Sequence, residues 1–150
     1  MTQSIAVTLH LLGVIVWVGG MFFAHMALRP AAAQLLEPPV RLPLLKAVLD
    51  RFFRWVWIAV VGILGSGYWI LLGLWDGQGG LYVHLMQGLG IVMITLFCFI
   101  YFVPYRRLGQ ALQSGAIPAA GVQMALIRRI IGINLVIGLV TSAIGVSRWV

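Results

Sequence analysis

The chain has 150 residues, 62% of them hydrophobic and only 9% charged, and its mean hydropathy is +1.06. Soluble domains carry roughly a quarter charged residues, so a water-soluble globular fold is excluded. The formal charge of +7 does not mark a nucleic-acid binder either, because nine of the ten basic residues fall in two segments between apolar runs.

Runs without Asp, Glu, Lys or Arg cover 1–28, 55–75, 77–105 and 130–147. Each is near or above the ~18–20 residues that cross a ~30 Å hydrocarbon core. This pattern predicts an all-α integral membrane protein, one domain over 1–150, built as an antiparallel four-helix transmembrane bundle. Helix 1 is expected over about 4–28, ending before Pro30, since the residue preceding a proline is driven out of helical conformation. With no basic leader and no small-residue cleavage site before Arg29, this run reads as a span and not as a cleaved signal. Val40–Arg54 alternates apolar and basic residues and is expected to lie along the membrane interface, feeding helix 2 over about 52–75. Asp76-Gly77-Gln78-Gly79-Gly80 forms a tight turn, because glycines supply left-handed conformations. Helix 3 is expected over about 81–104, stopping near Pro104. Gly109–Gln123 reads as a small, polar connection, and helix 4 follows over about 126–149.

Arg29, Arg41, Lys46, Arg51 and Arg54 fall between helices 1 and 2, and Arg106, Arg107, Arg128 and Arg129 between helices 3 and 4. Only Arg148 lies elsewhere. By the positive-inside rule both basic connections are expected to face the cytoplasm, with both termini and the turn between helices 2 and 3 outside. The same charges suit anionic lipid. The single cysteine, Cys98, excludes an internal disulfide.

His10, His25 and His84 are the ionisable side chains within or beside the spans, and such residues at membrane depth are read first as functional. At ~1.5 Å per residue His10 lies roughly 9 Å in from the outer side, and His84 roughly 5 Å in. The two are thus expected to face each other in the outer leaflet. Gly13, Trp17 and Met21 share the His10 face; Gln87, Gly88, Ile91 and Thr95 share that of His84. Gly88 leaves room beside the His84 ring, and the stripe Asn134, Gly138, Thr141, Gly145 ends on Arg148. Two imidazoles, a glycine gap and an arginine describe a site for b-type haem, with His10 and His84 as axial ligands and Arg148 on a propionate. Copper is the alternative at the same histidines, with Met21, Met26 or Met86 as soft contacts; a third reading is that they merely hydrogen-bond between helices. His25, about 22 Å from His10 along the axis, is too far for a shared ligand set. It reads as an interfacial residue near Arg29, with a proton-relay or second-site role as the alternative. Trp17, mid-helix on the His10 face, is taken with His10, His84, Gly88 and Arg148 as a candidate cofactor-binding residue, with core packing as its plainer reading. The glycines and Ser66 and Ser142 of helices 2 and 4 read mainly as packing notches.

Leu9-His10-Leu11-Leu12-Gly13-Val14-Ile15-Val16-Trp17-Val18-Gly19-Gly20 resembles the first helix of the copper-resistance protein D family, where a histidine is followed seven residues later by Trp-x-Gly-Gly. The resemblance extends loosely over nearly the whole chain, with His84 opening a later helix. It implies copper uptake or resistance across the bacterial inner membrane. The layout is also similar to the small four-helix, haem-binding protoporphyrinogen oxidase of bacteria. That family opens helix 3 with a His-x-x-Lys-like motif; here the stretch reads His84-Leu85-Met86-Gln87. These resemblances leave two functions open. One is a haem-dependent membrane oxidoreductase or electron carrier working with quinone, a porphyrin or a periplasmic redox partner. The other is a copper-binding or copper-transport protein. Homo-oligomerisation also stays open.

Overall fold

A computed structural model describes residues 2–74, 77 and 79–147. Four long apolar helices dominate it: α1 (Gln3–Leu35), α2 (Pro38–Gly73), α3 (Leu81–Gln113) and α4 (Ile117–Ser147). Among the described residues there is no strand. α1 packs along α2, α3 packs along α4, and the two hairpins close on each other through α2 and α4 and through the lower half of α1. Each helix is long and apolar enough to cross a bilayer. The protein is therefore an all-α, multi-pass membrane bundle in contact with lipid.

The helices overrun their apolar runs. α2 has 36 residues, about 54 Å at 1.5 Å per residue, against a hydrocarbon core of ~30 Å. The excess lies at the end that carries the nine clustered basic residues, called here the basic end. The segment Val40–Arg54 does not lie along the interface; it is helical and continuous with α2. Its buried residues Leu42, Leu45, Leu49, Phe53 and Val56 recur at helical spacing and carry one inward face straight into the span. Likewise 109–113 completes α3 and 117–123 begins α4, so only Ser114–Ala116 connects them. Gly115 makes that turn with φ +69°, a conformation that a Cβ disfavours. The overrun has a tight core of its own: Leu108 and Ala120 are fully buried there.

Two prolines behave differently. Pro30 does not end α1. A π turn over Ala24–Leu28 precedes it, and the proline sits in the first turn of the segment Arg29–Leu35, where a missing N–H costs little. Pro104 breaks α3 into Leu81–Phe102 and Pro104–Gln113, with Val103 irregular between them. A second π turn in α1 covers Ile15–Gly19, and α2 ends in a third, Trp69–Leu74.

The core is apolar along the bundle axis: Trp17, Met21, Phe53, Val56, Met93, Phe97, Ile100, Ile127 and Leu135 are all buried. Trp57, Phe53, Phe97, Tyr101 and Tyr105 form an aromatic ladder between α2 and α3, with neighbouring rings edge-on at 5.0–5.6 Å between centroids. Large apolar side chains such as Ile15, Val61, Leu72 and Val136 point outward, as lipid requires. Glycines admit neighbours closely: Phe52 lies against Gly20, Ile63 against Gly13, and Met93 and Val18 against Gly138. Without a hydrophobic drive between helices in lipid, such notches let packing forces act.

Candidate functional site

His10 lies in the second half of the first long α-helical stretch, away from the basic end, and its ring turns toward α2. Its Nδ1 is 3.2 Å from the Ser66 hydroxyl. Ser66 itself donates to the Gly62 carbonyl at 2.5 Å, the common back-bond of a helical serine. With its proton committed there, the Ser66 oxygen accepts from His10 Nδ1–H. The neutral imidazole then keeps its lone pair on Nε2, the atom a metal would use. Gly67 makes the approach possible: a Cβ there would sit 3.3 Å from His10 Cε1. Ser66 is buried and His10 half-buried.

His84 lies in the first turn of α3, at the same end of the bundle, but is exposed. The face expected to look inward, with Gly88, Ile91 and Thr95, is exposed as well. Nothing lies within 4 Å of a Cβ built at Gly88, so that glycine borders open space. The inward face of α3 is Met93, Phe97 and Ile100. Gln87 donates to the Tyr68 hydroxyl at 2.9 Å, tying α3 to α2 near this end. No hydrogen bond joins His10 to His84 among the described residues, nor does any group of three His, Cys, Asp or Glu gather there. Arg148 lies outside the described residues.

Trp17 is buried at 3% exposure and meets Phe97 edge-on at 6.1 Å, a core contact across the bundle. Of the three methionines named as soft contacts, Met21 is buried in the core and Met26 is exposed. Met86 presses against Gly145, where a Cβ would be 3.2 Å from its sulfur. His25 fills a different notch, its ring against Gly132 of α4. Its neighbourhood is thus helix packing, with Arg29 four residues away in sequence.

Two polar features lie outside the predicted set. Asn134, 1% exposed in the middle of α4, donates from Nδ2 to the Met93 carbonyl at 3.2 Å. Its Oδ1 has no partner among the described residues. At the basic end Asp50 accepts from Lys46 at 2.5 Å and from the Tyr105 hydroxyl, while Lys46 also lies over the Tyr105 ring. That cluster latches α2 to the Pro104 segment of α3. Ser66 and Asn134 were visible in the sequence as members of small or polar stripes, but nothing there assigned Ser66 to His10.

The architecture defines a small multi-pass membrane protein with half-buried imidazole and thioether groups and no soluble domain among the described residues. The chain matches copper resistance protein D over residues 46–148 and belongs to that family. The matched stretch takes in most of α2 and all of α3 and α4, including Ser66 and His84, and stops short of α1 with His10. No curated protein and no solved structure matches the chain.

Proposed function

We propose that the protein binds copper within the bacterial inner membrane and serves copper uptake or resistance, with His10 as the principal ligand. Membership of the copper resistance protein D family carries this reading. The His10 geometry supports it: a hydrogen bond on Nδ1 fixes the tautomer and leaves Nε2 to donate. Imidazole and thioether together suit Cu(I). His84, exposed at the same end, serves as the first contact for an arriving ion, and the buried Met21 offers a soft donor deeper in α1. Both termini lie on the periplasmic side, because the nine clustered basic residues share the opposite end.

Metal content with a visible spectrum tests this. Purified protein should retain copper after desalting and show no Soret band; His10→Ala should lose most of that copper. A coloured wild type with iron in place of copper would instead establish the b-type haem site with a redox role.

A further inference from the structure

At the basic end a cavity of about 440 Å³ opens between α1, α2 and α4. Arg29 of α1, Arg41 of α2 and Arg128 of α4 line it, over walls that include Leu42, Leu45 and Ile117. No carboxylate is part of that lining. Among the described residues the one ion pair is Lys46–Asp50, which is elsewhere. Arg41 is anchored, donating to the Ala33 and Leu36 carbonyls at the end of α1. Arg29 and Arg128 make no hydrogen bond or ion pair to a described residue. Both stand at the edge of charge-free runs, 1–28 and 130–147, which places them at headgroup depth.

Three guanidiniums drawn from three helices into one cavity repel one another unless an anion joins them. Guanidinium recognises phosphate oxygens through paired, charge-assisted hydrogen bonds. The apolar walls and the volume, within the ~300–1,000 Å³ of ligand pockets, suit a group larger than a single inorganic ion. We propose that this cavity is a binding site for a phosphate-bearing anion, held between Arg29, Arg41 and Arg128. Two sources offer that chemistry at this depth: the headgroup of an anionic phospholipid and a free phosphorylated solute. The site clamps the basic ends of α1, α2 and α4 together, and it does not depend on the copper reading.

The test uses full-length protein in discs of phosphatidylcholine, with thermal unfolding and binding followed as phosphatidylglycerol is mixed into the disc or pyrophosphate is added to the buffer. Either probe should stabilise the wild type in a saturable way. Stabilisation by the lipid alone identifies a headgroup site, and by pyrophosphate alone a solute site. Arg29→Ala combined with Arg128→Ala should weaken binding about tenfold or more, since two of the three guanidiniums that hold the anion are gone. Without the anion that variant should unfold no earlier than wild type, because a repulsion has been removed. Arg51→Ala, exposed and away from the cavity, should bind as wild type does. Equal weakening by Arg51→Ala would show diffuse surface attraction and overturn the site. So would the absence of saturable stabilisation by both probes.

Discussion

His10 and Ser66 form the most specific polar contact inside the apolar half of the bundle, and its chemistry is directional. The serine gives its proton to Gly62 and takes that of His10, so Ser66→Ala removes the group that holds the ring in one tautomer. We expect that variant to fold at a cost of about 1 kcal/mol, and to bind Cu(I) roughly 10–100-fold more weakly, the usual effect of losing a ligand's supporting hydrogen bond. Competition against a colorimetric Cu(I) chelator measures this, and an unchanged affinity would detach Ser66 from the site. Asn134 presents the opposite case. Its buried Oδ1 has no partner among the described residues, and an unmade hydrogen bond costs ~1–3 kcal/mol. Asn134→Leu should therefore leave thermal stability equal or higher; a marked loss would mean that Oδ1 has a partner in the membrane. That His10 sits toward the end of the bundle away from the basic residues is legible from its position in a charge-free run. Its partner is not. In a membrane helix both faces are apolar, so the periodicity that tells inside from outside in soluble proteins is weak. That is why the face of His84, Gly88, Ile91 and Thr95 was read as inward, while Met93, Phe97 and Ile100 hold that position. It is also why the sequence alone points to Gly88 as the cleared gap. The glycines that seat histidines are Gly67 and Gly132.

The helices run further than charge alone suggests. Proline and arginine were read as ends, yet Leu42, Leu45, Leu49, Phe53 and Val56 continue one buried face across the charged stretch. This spacing was present in the sequence, masked by the basic residues on the other face. Pro30 misled for a different reason: the π turn Ala24–Leu28 shifts the ladder just before it, and no residue pattern announces such a turn. Pro104, by contrast, does interrupt α3 where expected, although helix resumes at once. The overrun is a packed structure and not a frayed end, so core substitutions there should cost as much as in the span. Leu108→Ala, at a position with 0% exposure, should destabilise by ~2–5 kcal/mol. Unfolding in mild detergent measures it, and a cost below ~1 kcal/mol would mean that the basic end adds little cohesion.

At the scale of the whole molecule, four spans with nine of the ten basic residues clustered at one end are expected to take a single orientation. Cysteines introduced as Gly79→Cys and Ser114→Cys in a Cys98→Ser background should therefore label oppositely with an impermeant thiol reagent. Gly79→Cys should react from outside intact cells and Ser114→Cys only after lysis. The reverse pattern would put the basic end outside and His10 near the cytoplasm. The proposed copper role rests on this orientation, which would put the His10 imidazole and the exposed His84 on the side from which a periplasmic ion comes. Copper as that ion is the proposal drawn from the family, whose match covers residues 46–148. The most direct measurement is therefore the Cu(I) affinity of the purified protein, wild type beside His10→Ala, titrated against a chelator of known strength. The account predicts a saturable site in the wild type that weakens at least about tenfold, or ~1.4 kcal/mol, when the imidazole is removed. Equal affinities, or no Cu(I) bound by the wild type, would contradict it.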